Sequence, residues 1–209
     1  MTASARDRRP APASGTRGRA RAGVVAALVL GPLAGCGAYD TVSLLWSDPI
    51  VLSCPDYRVV ADAAELVKFR DGPGRDLIDV DYEGAIVDVK LGCASDIDRR
   101  TRKGTMEVEV TVSFDARRGP ANRDRKARFP YFVSVVDRDR TILYREEFAI
   151  TIDFPGNKTR IVFRNKPITL ELPILRNRSS RDYSIFTGFK LTRGQLRFNR
   201  ERHGGAKPG

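Results

Sequence analysis

Between Thr105 and Phe114 the chain alternates without a break. Met106, Val108, Val110, Val112 and Phe114 fall on one side, and Glu107, Glu109, Thr111 and Ser113 on the other. A period of two is the mark of an extended chain with one dry and one wet face, because successive side chains of a strand point in opposite directions. A helix would scatter the same residues around its circumference. An apolar strand face must also be covered, so this stretch demands neighbouring strands and a second layer.

The flanking segments supply them. Tyr57-Arg58-Val59-Val60 reads as a first strand, and the spacing of Asp62-Ala63-Ala64-Glu65 predicts one capped helical turn running through Lys68. Asp71-Gly72-Pro73-Gly74 is a turn, and Leu77 to Leu91 a second strand with Ile86, Val87, Val89 and Leu91 around Asp88 and Lys90. Phe129 to Val136 is almost continuously apolar, as a central strand is. Asp137-Arg138-Asp139-Arg140 connects it to an antiparallel arm that starts at Thr141 and carries Phe148, Ile150, Ile152 and Phe154. After the turn at Pro155-Gly156-Asn157, Thr159–Phe163, Ile168–Leu172 and Tyr183–Lys190 provide further strands. About seven short strands at this spacing, with no long amphipathic helix between them, predict an all-β fold. The expected architecture is an antiparallel, immunoglobulin-like β-sandwich over residues 54–192. Thr192-Arg193-Gly194-Gln195 is a capping box flanked by Leu191 and Leu196, so a short helix should run from Arg193 to about Arg202. Leu196 and Phe198 would lie on the sandwich, and the end of the 193–209 segment is expected to be disordered.

The amino-terminal region follows another logic. Arg17, Arg19 and Arg21 precede the apolar run Val24–Leu30, and the stretch ends at Leu33-Ala34-Gly35-Cys36. Basic, apolar and small residues in that order form a secretory signal. The wider run from Gly23 to Gly35 is interrupted by Pro32 and falls short of the roughly 20 residues that cross a bilayer. Its last four residues resemble the lipobox of bacterial lipoproteins, and the chain is similar in this respect to uncharacterised outer-membrane lipoproteins of Gram-negative bacteria. The resemblance implies that residues 1–35 are removed and that Cys36 is acylated to become the first residue of the mature chain. It also implies the outer membrane, periplasmic face, since Gly37 stands where an aspartate would retain the protein at the inner membrane. Residues 36–53 would then be a tether. It is apolar for a linker, with Val42, Leu44, Leu45, Trp46 and Ile50-Val51-Leu52. Either it packs on its own domain, or Trp46 sits at the membrane interface or against a partner.

With Cys36 assigned to lipid, Cys54 and Cys93 remain, an even pair in a compartment that permits disulfides. The expected state is a disulfide, the other reading being two buried thiols. The net charge is +11; the leader holds six arginines and one aspartate, which leaves 31 of 37 basic and 25 of 26 acidic residues, a mature net charge of +6. An excess of that size suits an anionic envelope surface, and no nucleic-acid partner is expected.

The single histidine, His203, lies near the chain end, which removes Ser-His-Asp, Cys-His and His-based zinc chemistry from the domain. No catalytic residue, cofactor or metal is assigned. Two alternatives rest on acids. Asp79, Asp81 and Glu83, with Asp76 beside them, would share a strand face that oxygen-seeking calcium could use in adhesion. A pair among the carboxylates could also hydrolyse envelope glycans. The densest basic stretches are Arg99, Arg100, Arg102 and Lys103 on one side of the alternating strand and the loop opening with Arg117 and Arg118 on the other. Together with Trp46, these are the candidate contacts to an anionic surface or an envelope protein. Arg117-Arg118-Gly119-Pro120 and Gly188-Phe189-Lys190-Leu191-Thr192 stand out as patches without an evident activity and read as structural turns. The expected protein is therefore a lipid-anchored, non-enzymatic binding or scaffolding module, an accessory subunit of an envelope complex.

Overall fold

The alternating stretch is the middle of a longer strand, and that strand organises both layers. The computed structural model describes residues 50–204. In chain order these form β1 (Asp56–Val59), β2 (Glu65–Phe69), β3 (Val80–Asp98), β4 (Lys103–Arg118) and β5 (Lys126–Asp137). There follow β6 (Ile142–Asp153), β7 (Arg160–Arg164), β8 (Ile168–Ile174), β9 (Tyr183–Phe189) and the helix α1 (Arg193–Gly204). One sheet has the order β1-β9-β5-β6, and the other β2-β3-β4-β7 with β8 also on β4. The fold is an open β-sandwich, as the alternation demands. All pairings are antiparallel except β1 with β9, which run parallel with Asp56 opposite Ser184.

Met106, Val108, Val110, Val112, Phe114 and Ala116 are all fully buried, so the face chosen from the sequence is the core face. Phe114 meets Tyr131 edge-on at 5.1 Å, stacks on Phe163 at 5.2 Å and leans on Phe189 at 5.7 Å, joining β4, β7, β5 and β9. β5 buries Phe129, Tyr131, Val133 and Val135 against it. Such contacts, rather than sheet hydrogen bonds, hold the two layers together.

β7 and β8 are two halves of one strand. Both pair with β4, but the register slips by one residue between Ser113↔Arg164 and Val110↔Ile168. Pro167 cannot donate a ladder hydrogen bond, and the buried Asn165 fills the break. Its side-chain oxygen accepts from the Val112 N–H at 2.7 Å, while its own N–H donates to the Val112 carbonyl at 3.2 Å.

Local readings fail in three places. Ala61–Ala63 is a single 3-10 turn, and Glu65 to Lys68 continue as strand β2 rather than helix, with Leu66 and Val67 buried against β3. Leu77–Asp79 is a second 3-10 turn, so β3 begins only at Val80 and then runs on to Asp98. Arg117 and Arg118 belong to β4, not to the loop after it. At Glu65–Lys68 and at Arg117–Arg118 pairing with a neighbouring strand outweighs the local signal, whereas at Leu77–Asp79 a capping box between Asp76 and Asp79 holds the turn and delays the strand.

The described part of the segment before Cys54 lies against the sandwich. Leu52 packs on the core, and the Ile50 carbonyl accepts from Ser95 Oγ on β3 at 2.8 Å. Cys36, Trp46 and the tail beyond Gly204 lie outside the described residues.

Candidate functional site

β4 is 16 residues long, which puts its two basic flanks about 50 Å apart at an antiparallel rise of about 3.4 Å per residue. They are therefore separate surfaces. At the far end Arg117 lies 3.6 Å from Asp115, whose buried carboxylate is held mainly by Arg160. Arg160 Nε donates at 2.9 Å and Nη2 at 2.7 Å, a two-pronged grip from β7 onto β4. The Arg160 guanidinium keeps the Asp115 carboxyl below the ordinary aspartate range, against the opposing effect of burial. Arg117 is thus engaged within the domain. Arg118 is half-buried in the strand.

The acids split up. Asp79 is buried at the end of its 3-10 turn, accepts from the Asp76 N–H at 3.2 Å and pairs with Arg70 at 2.5 Å. Asp81 accepts from the Asn122 side-chain amide at 2.7 Å. The expectation that residues 79, 81 and 83 share a strand face is corrected by this: Asp79 precedes the strand and turns inward. Among the described residues no three of His, Cys, Asp and Glu converge as a metal ion requires.

Cys54 and Cys93 lie at disulfide distance, sulfur to sulfur 2.08 Å and Cα to Cα 5.7 Å, which ties the entering chain to the middle of β3. The two patches singled out in the sequence are close approaches of backbone. A Cβ on Gly119 would fall 2.1 Å from the Val80 carbonyl oxygen, and one on Gly188 would press on Ala63 and the Phe132 ring. Gly188 sits within β9 rather than in a turn.

The other basic flank has company. The β3–β4 turn carries Arg99, Arg100 and Arg102, with Lys103 opening β4, and all four are exposed. Asp137 on β5 is opposite Tyr183 on β9, and the Tyr183 hydroxyl donates to the Pro173 carbonyl on β8 at 2.5 Å. Pro173 is opposite Thr105 on β4, next to that turn. The β3–β4, β5–β6 and β8–β9 connections therefore gather at one end of the sandwich. In each of the three, Arg and Lys outnumber Asp. The acids are largely occupied within the domain. Asp98 accepts from the Thr101 N–H and hydroxyl, which holds its carboxyl below the usual range. Asp137 accepts from the Asp139 and Thr141 N–H groups. Asp182 accepts from Ser179 and faces Arg138 at 3.7 Å.

This end opens onto a concavity of about 610 Å³ on the outer face of the β1-β9-β5-β6 sheet. Phe132, Val136, Ile142 and Phe186 supply its apolar surface, and Arg58, Arg138, Arg140 and Arg145 its charge. The Arg145 guanidinium lies over the Phe132 ring, 4.1 Å from its centre. Neither Arg58 nor Arg140 pairs with a carboxylate among the described residues. None of these residues is singled out by the sequence. The available signal was the nearly unbroken apolar run of β5, which makes both of its faces apolar and its outer face a place for something other than water. No protein-family model, curated protein or solved structure matches the chain.

Proposed function

We propose that the chain is a lipid-anchored cell-envelope protein whose β-sandwich is a non-catalytic binding module, working as an accessory subunit of an envelope complex. Cys36 carries the lipid and holds the domain at the periplasmic face of the outer membrane. The observation that carries the binding reading is the concavity on the outer sheet face, where apolar side chains and arginines converge with no covering element among the described residues. The Cys54–Cys93 pair supports export, because such a pair persists as a disulfide in an oxidising compartment.

Two measurements test this. Intact mass of detergent-extracted protein should show an acylated chain beginning at Cys36, and Cys36→Ser should abolish that species. A full-length chain without lipid removes the anchor from the proposal. In-cell cross-linking and purification should recover a stoichiometric envelope protein with the wild type and lose it with Arg145→Glu. The same yield from both chains would refute the concavity as the contact.

A further inference from the structure

The end of the sandwich where the chain enters is also the end where the three basic connections meet. Ile50 and Cys54 are tied to Ser95 and Cys93, on the half of β3 that leads into the Arg99–Arg102 turn. Any tether from Cys36 thus reaches the domain beside these arginines. The same end exposes apolar side chains. β6 is an edge strand whose middle is guarded by Arg145, Glu146 and Glu147, but its first three residues are Ile142, Leu143 and Tyr144, exposed by 57%, 45% and 38%. Val51, at the chain entry, is 83% exposed. Arginines flank these aliphatic and aromatic groups: Arg138 and Arg140 on the hairpin itself, Arg176 and Arg181 on the β8–β9 connection.

The backbone adds an independent observation. Arg102 and Arg140 occupy the left-handed region, with φ of 56° and 63°, at the tips of the two hairpins. Glycine or asparagine is the residue that such a position favours. Arginine there costs stability and keeps a positive charge at the extreme tip. A third such residue, Arg125, lies at the opposite end.

We infer that this end of the sandwich docks on an anionic phospholipid surface, the arginines meeting lipid phosphates and Ile142, Leu143 and Tyr144 entering the headgroup region. The inference rests on the lipid-anchor reading for its geometry: the anchor brings the domain to the bilayer, and the basic end lays it down. The docking surface shares Arg138, Arg140 and Ile142 with the rim of the concavity, so lipid takes that rim and leaves Arg58, Phe132, Arg145 and Phe186 for a partner. Asp96, Asp98 and Asp139 are exposed within the patch and oppose the attraction, but the arginines and Lys103 outnumber them.

The test uses the full lipidated chain with Leu143→Cys, labelled with a polarity-sensitive fluorophore and placed in two kinds of vesicle. One is phosphatidylcholine alone, the other phosphatidylcholine mixed with phosphatidylglycerol. Docking predicts a blue shift and quenching by spin-labelled lipid only in the mixed vesicles, reversed by high salt. Arg102→Gly with Arg140→Gly should lower the docking equilibrium constant by roughly fivefold per arginine removed, and the docked fraction with it. That variant relieves the backbone at both tips, so its melting temperature should hold or rise, and a weaker signal cannot be put down to unfolding. A label that stays aqueous in both vesicles, as an acidic protein partner would leave it, overturns the inference. So does a signal that ignores lipid charge or the two glycines. Flotation separates the anchor: the lipidated chain should float with either vesicle at any salt, and failure to float with phosphatidylcholine refutes the anchor alone. Flotation confined to mixed vesicles and lost in salt would still report docking.

Discussion

Asp115 shows how a single residue takes its role from a partner far along the chain. In the sequence it is the next residue after the clear alternating run, one carboxylate among 26 acids. In the fold its carboxylate is buried on β4 and gripped by Arg160 from β7, which lowers its proton affinity. A carboxyl held below its unfolded value adds stability that is present above the unfolded aspartate pKa, near 4, and is lost as pH falls through the lower folded value. Asp115→Asn should therefore flatten the acid limb of a stability–pH curve below about pH 4. At neutral pH the loss should be small, because Arg160 is largely exposed and solvent screens the pair. Denaturant titrations of both chains from neutral to acid pH check this; parallel curves would show that the pair contributes nothing. Nothing in the local sequence marks Asp115 or Asn165, because each is defined by a partner about fifty residues away along the chain.

The helix α1 was legible as an element and illegible as a function of that element. Its capping box forms as the spacing requires: the Gln195 N–H donates to Thr192 Oγ1 at 3.2 Å and the Thr192 N–H to Gln195 Oε1 at 2.9 Å. Where it packs is another matter. Gln195 donates to the Val67 carbonyl at 3.1 Å, and the buried Asn199 to the Glu65 carbonyl at 2.8 Å and the Asp62 carbonyl at 3.0 Å. Residues 195 and 199 are one helical turn apart and 65 and 67 one strand repeat apart, so helix side chains meet the outward carbonyls of edge strand β2. Phe198 meets Phe69 edge-on at 5.2 Å beside them, and Arg200 and Arg202 pair with Asp62 and Glu65. The helix closes an edge that would otherwise invite another strand. Asn199→Ala should cost about 1–3 kcal/mol, since two carbonyls lose a donor in a buried setting. It should also speed hydrogen exchange in β2 ahead of β5. Unchanged protection of β2 would mean that the helix is not what covers the edge.

For the whole molecule the Cys54–Cys93 pair is the main long-range tie outside the core. It closes a separation of 39 residues and fastens the entering chain to β3, whose second half has no strand on that side among the described residues. In the chain-entropy account a loop of that length contributes about 4 kcal/mol. Reduction, or Cys54→Ser with Cys93→Ser, should lower the denaturant midpoint accordingly, and peptide mapping without reductant should recover the two cysteines joined. Equal midpoints with and without reductant would count against a stabilising link.

Alternation, turn residues and the capping box are properties of a few adjacent side chains, and their physics is local. That is why the all-β character, the core face of β4, the hairpin at Asp137–Arg140 and the start of the last helix can be read along the chain. The strand over Glu65–Phe69, the break at Asn165–Pro167 and the gathering of three arginine-bearing turns at one end emerge only when the layers pack. They depend on register and on which strands become neighbours, quantities set by packing the two layers around Phe114 rather than by any one segment. A residue's period can be read along the chain; its partners cannot, because pairing is chosen by the free energy of the whole sandwich.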